Sequence, residues 1–234
     1  IRIMAKHKKQ VEGKETVEFF QELDRETLKT EKFLERNSKL IIGIFILILG
    51  GILGYFAYQQ FVITPKNEEA LKGYFAAQKN LELGKEADAL GGKSAVNPGF
   101  LGTSKEFGDT KIGKLSAYNA ASIKFKDGKY QEAYDLFNQF SSSNDILMAL
   151  KYGAMADCKV NLNKNDEALS LFEKAISSSD DDYTAYYFTR KAGVLAISTN
   201  KKAEAKKYFS TIEEKYQDYD NGMSDAYIEM VKYY

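Results

Sequence analysis

Residues 128–137 read GKYQEAYDLF, residues 163–172 NKNDEALSLF and residues 200–209 NKKAEAKKYF. Aligned, they superpose Ala133, Ala168 and Ala205, and then Phe137, Phe172 and Phe209. The alanines fall 35 residues apart (133 to 168) and then 37 (168 to 205). A period of this length is the mark of a helical repeat array. Twelve residues before each alanine stand Ala121, Ala156 and Gly193, all small, and five before it stand Gly128, Asn163 and Asn200. Gly and Asn tolerate the left-handed backbone of a tight turn between two helices. Each unit therefore reads as two antiparallel helices. They approach closely where both faces are small, and an aromatic side chain four residues on fills the gap to the next unit. One such pair cannot bury its apolar face alone, so the units must stack into a solenoid.

Working outward, 141–145 (SSSND) and 177–182 (SSSDDD) punctuate the units and supply N-cap residues for the helices that follow. Residues 66–110 read as a degenerate extra unit, with Ala89 in the alanine role and a breaker-rich loop after it. An amphipathic helix is expected over 67–84 and a short one near Pro98–Phe107. The stretch from Ser224 to Tyr234 reads as a C-terminal cap.

Upstream lies LIIGIFILILGGILGYFAYQQFVI, residues 40–63, with no charge between Lys39 and Lys66. At a helical rise of about 1.5 Å per residue it reaches roughly 36 Å, enough to cross a hydrocarbon core of about 30 Å. No small-x-small cleavage pattern follows, so an uncleaved anchor is expected rather than a signal peptide. Ten Lys/Arg precede the span, whereas residues 61–80 hold only Lys66, Lys72 and Lys79. The positive-inside rule then puts the head in the cytoplasm and the body outside it, a single-pass type II arrangement. Within the head, Val17, Phe19, Phe20, Leu23 and Leu28 mark an amphipathic helix over 15–36, either lying at the membrane or docking a partner. In the span, Gly50, Gly51 and Gly54 offer a face on which another helix, including that of a second copy, can pack closely.

The expected fold is all-α, a single N-terminal transmembrane helix followed by an α-solenoid. The divisions are a head at 1–39, the span at 40–63, the degenerate repeat and loop at 64–113, and the repeats with their cap at 114–234. Lys plus Arg and Asp plus Glu both total 33, so no basic field exists to hold nucleic acid. The single histidine, His7, lies in the head, leaving the body without a histidine base or metal ligand. One cysteine, Cys158, allows no intramolecular disulfide. Asp180, Asp181 and Asp182 lack calcium-loop spacing and read as a capped loop. No nucleophile–base pair, phosphate loop or metal spacing is found; neither catalysis, metal nor cofactor is expected.

The aligned segments resemble tetratricopeptide repeats, although the usual repeat-terminal proline is missing. The layout is similar to the YfgM family, ancillary subunits of the bacterial Sec translocon partnered with a membrane-anchored periplasmic chaperone. NPGFLGTSKEFGDTKIGKLSAYNAA (97–121) and GKYQEAYDLF carry a further similarity to membrane-anchored repeat proteins of the Bacteroidota. The resemblance implies an inner-membrane binding protein near the translocon exit, holding a chaperone or an emerging chain. A scaffold for another envelope assembly is the alternative. It also implies a groove lined by the first helix of each unit: Tyr118, Ser122 and Phe125, then Asp157 and Val160, then Tyr187, Arg190 and Val194. The Lys/Asn/Arg clamp that some family members use for a terminal carboxylate is absent, since Tyr118 and Ser122 stand at matching positions.

Overall fold

A computed structural model describes residue 33 and residues 35–94 and 97–234. Most of the head, including the amphipathic stretch expected there, lies outside the described residues. The described chain is helical; besides helices it contains one isolated bridge, Ser94 to Asn97. It divides into two compact units, one ending at Val62 and the other spanning Ile63–Tyr234.

Among the described residues the first unit holds helix α1, residues 35–58, and the π-helical backbone of Gln59–Ile63 begins within it. Its most apolar 18-residue window has a mean hydropathy of 2.6, and none of that window is buried. The helix expected at 67–84 starts earlier, at Thr64, with Pro65 in its first turn, and ends at Glu82. Proline lacks an N–H and its ring crowds the carbonyl four residues back. In the first turn of Thr64–Glu82 neither cost is incurred, because that N–H has no partner within the helix.

The second unit repeats one helix pair. Its first helices are α2 (Thr64–Glu82), α5 (Lys111–Lys126), α7 (Asp145–Asn161) and α9 (Asp182–Ser198). Their second helices are α3 (Glu86–Gly91), α6 (Tyr130–Gln139), α8 (Asn165–Ser177) and α10 (Lys202–Lys215). Helix α4 (Gly99–Glu106) is inserted after α3, and α11 (Gln217–Asp220) and α12 (Asp225–Val231) close the C-terminal end. Helices α6 and α8 each pack against the first helix of their own unit and that of the next, as a solenoid requires.

The turns carry the register. Gly128, Asn163 and Asn200 have φ of 74°, 57° and 56°, the left-handed values their identities predict. At each, the residue after the turn donates from its N–H to a carbonyl five residues back: Lys129 to Lys124, Lys164 to Lys159 and Lys201 to Ala196. This Schellman closure satisfies carbonyls that the helix end leaves open. The same turn occurs at Gly84, φ 71°, where Lys85 donates to Asn80. With Ala77 and Ala89 both fully buried, residues 64–91 form a fourth unit on the same plan. Lysine stands at 93 where the other units have phenylalanine, and Phe100 of α4, fully buried, fills the core of this unit instead.

Helices α5, α7 and α9 start from loops and are capped by side chains. Thr110 accepts from the Gly113 N–H, Asn144 from Leu147 and Asp181 from Thr184. Asp181 thus caps a helix, as the loop reading of 180–182 expects. Ala121, Ala133, Ala156, Ala168 and Ala205 are fully buried in one core with Phe137, Phe172 and Phe209. Full burial of a phenylalanine is worth about 1.5–3 kcal/mol, so the repeating aromatics are principal contributors. Gly193 must be small: a Cβ there would lie 2.8 Å from the Phe209 ring. Lys151 is buried and donates to the carbonyls of Asn138 and Phe140, tying the α6–α7 loop to α7. Burial pushes its ammonium pKa down.

A candidate partner-binding cleft between first helices

Helices α7 and α9 are successive first helices, and α8 packs against both. The lining they form with α8 encloses about 290 Å³. It consists of Asp157 and Val160 from α7, Phe172 from α8, and Arg190, Lys191, Val194, Leu195 and Ser198 from α9. Four of the eight groove residues expected from the sequence, Asp157, Val160, Arg190 and Val194, therefore meet in one cleft. The volume lies at the lower edge of small-molecule pockets and suits one or two amino-acid side chains.

Its electrostatics are uneven. Lys191 Nζ donates to both Asp157 oxygens at 2.6 Å, linking α7 to α9. Burial pushes the Asp157 carboxyl up, against the pull of Lys191. The same ammonium lies 5.4 Å from the Phe172 ring centroid and 5.6 Å from that of Tyr187, within cation–π range. Arg190 has no ion-pair partner among the described residues. One Nη donates to the Met223 carbonyl at 3.5 Å, and its Nε is buried without an acceptor.

The other four expected residues lie elsewhere. Tyr118 is half-buried, edge-on to Phe137 and Phe140 at 5.0 and 5.2 Å, so packing occupies most of its ring. Burial raises its hydroxyl pKa and the Asp157 charge adds to that. Ser122 is exposed, its hydroxyl donating back to the Tyr118 carbonyl. Phe125 is half-buried against Tyr130. Tyr187 is 46% exposed on the same helix as Arg190 and Val194. Gly50, Gly51 and Gly54 lie in α1 with nothing within 4 Å of the position a Cβ would take.

Sequence reasoning passed over Lys191, Phe172, Leu195 and Ser198. The opposite charges of Asp157 and Lys191 in neighbouring first helices were the available signal. It also passed over Leu147 and Leu150 on α7 and Tyr183 on α9, which are 41%, 40% and 58% exposed. Cys158, beside Asp157 in sequence, is fully buried, and burial holds its thiol up at about 12. No group of three or more metal-ligating side chains occurs among the described residues.

Stacked helix pairs presenting a mixed polar and apolar cleft define a helical-repeat interaction protein. Residues 31–229 match the tetratricopeptide repeat-like domain family, and the chain belongs to it. The family implies a role in protein–protein interaction, and its fold is typically a non-catalytic scaffold. No curated protein and no solved structure matches the chain.

Proposed function

We propose that the protein is a membrane-anchored binding protein whose first-helix face holds a segment of a partner polypeptide. The observation that carries this reading is the convergence of Asp157, Val160, Arg190 and Val194 on one cleft. The solvent-facing Leu147, Leu150, Tyr183 and Tyr187 on α7 and α9 add apolar contact area of the kind peptide segments bury. In this reading residues 1–39 form a cytoplasmic head, 40–63 cross the bacterial inner membrane, and 64–113 and 114–234 form the periplasmic repeats. The unburied apolar window of α1 supports the anchor, and the excess of Lys/Arg before it supports the orientation. The likeness to the YfgM family supports a place beside the Sec translocon, with a membrane-anchored chaperone or an emerging chain as the partner.

The test is a mild-detergent pull-down of the full-length protein from native membranes, repeated after residues 15–63 are exchanged for a foreign anchor. Recovery of Sec channel subunits by the native chain, lost on exchange, is the expected result. Recovery of an envelope assembly without those subunits, surviving the exchange, would replace the translocon assignment with a scaffold acting through its repeats alone.

A further inference from the structure

Of the three charged side chains in the α7–α9 cleft, two satisfy each other and one is left over. The Asp157–Lys191 pair is closed at 2.6 Å. Arg190 is not closed. Its buried Nε–H meets no acceptor, although a guanidinium presents five donors in a planar fork built for a carboxylate. A buried donor left unmet is costly, which makes the site receptive to an acceptor brought from outside. Beside the fork lie Val160, Phe172, Val194 and Leu195, an apolar wall.

The charges around the cleft give the sign of the partner. Helices α5, α7 and α9 together carry eight Lys/Arg and three Asp/Glu. Their second-helix counterparts α6, α8 and α10 carry five and eight. The excess sits mainly on α5, with four lysines and no acid; α7 is balanced at two and two, and Lys124 and Lys159 are paired with Glu132 and Glu167 of the second helices. At the cleft, with Asp157 and Lys191 paired, the net charge is the single cation of Arg190, which favours an acidic group there.

We infer that the cleft takes the side-chain carboxylate of an Asp or Glu flanked by an apolar residue in the partner polypeptide. Arg190 forks the carboxylate, and Val160, Phe172, Val194 and Leu195 bury the neighbour. The Asp157 carboxylate close by matches the site to a single negative charge rather than to a dianion such as a phosphoryl group. This inference rests on the reading of the first-helix face as the partner surface and adds to it the chemistry that the face selects.

The test uses the full chain in lipid nanodiscs with isotope-labelled arginine, the Arg190 Nε–H resonance being assigned by its loss in Arg190→Lys. The probes are blocked peptides, acetyl-Gly-Leu-Glu-Leu-Gly-amide and its counterparts with Gln or Lys in place of Glu. The expected result is a shift of the Arg190 resonance with the Glu peptide. The Gln peptide should bind about tenfold more weakly and the Lys peptide more weakly still. Arg190→Gln should bring the Glu peptide down to the Gln level, with circular dichroism showing that the free variant is folded. Val194→Glu, which supplies a carboxylate from within, should block the Glu peptide with Arg190 still in place. Equal binding of the Glu and Gln peptides overturns the inference and leaves the partner-surface reading standing. No binding by any of the three peptides overturns it too. The broader reading is then decided by the crosslinking experiment that closes the Discussion.

Discussion

Replacing Gly153 by alanine is the sharpest test of how the units are stacked. Gly153 is buried in α7 where α9 passes, and a Cβ there would stand 2.0 Å from Cε1 and 2.4 Å from Cζ of Phe188. That ring is itself buried, 3% exposed, and stacked on Phe172, so it has little room to retreat. Forcing a methyl into a packed core costs about 1–3 kcal/mol, and this contact belongs near the upper end. Alanine returns about 1 kcal/mol of helix propensity, leaving a net loss of about 2 kcal/mol. For the second unit, at about 2–4 °C per kcal/mol, the midpoint should fall about 4–8 °C. Far-ultraviolet circular dichroism melts of the full chain in nanodiscs read this directly. Gly91→Ala, at a helical glycine with nothing within 4 Å, should not fall with it. Trimming the ring in Gly153→Ala/Phe188→Leu should recover at least about 1 kcal/mol relative to additivity. A neutral or stabilising Gly153→Ala, or a double variant whose costs simply add, would refute the proposed close contact.

Three further outcomes follow from named contacts. Asn163→Ala should cost about 1 kcal/mol in a denaturant titration because φ is 57° there, while Asn163→Gly should cost almost nothing. Tyr186 is buried and donates to Asp220, and burial followed by that bond pushes its hydroxyl up to about 12. A folded pKa above the unfolded value of about 10 means its contribution is complete below about pH 10. As pH rises toward about 12, roughly 2–3 kcal/mol should be lost; Tyr186→Phe should flatten that alkaline limb while leaving the share due to Tyr208, which is also raised. Cys158, with no exposed surface, should stay unmodified by a maleimide at pH 8 until the chain unfolds, as read by intact mass.

The repeat plan was legible because its positions obey hard rules. A left-handed turn admits Gly or Asn, and a close helix crossing admits only small residues, so Gly128, Asn163, Asn200 and the paired alanines declared themselves. The fourth unit was half legible. Ala89 was visible, but Lys93 replaced the expected aromatic, and the filler Phe100 came from a separate helix that no period marks. The candidate cleft was legible at Asp157, Val160, Arg190 and Val194, which repeat position assigns to the first helices. It was not legible at Phe172, a core marker that also floors the cleft, or at Lys191, whose role depends on the Asp157 carboxylate 34 residues away. Tyr118 falls outside this cleft, its ring packed against Phe137 and Phe140. The corresponding position in the next unit is Gly153, where the Phe188 ring occupies the space instead.

The central claim is that partners are held on the first-helix face, and site-specific photocrosslinking in native membranes tests it most directly. A photoreactive residue at Val160 or Val194, inside the cleft, should crosslink a discrete partner polypeptide. The same residue at Ser170 or Lys206, exposed on the second helices, should not. Crosslinks at Ser170 or Lys206 with none at Val160 or Val194 would contradict the account and move the partner to the opposite face.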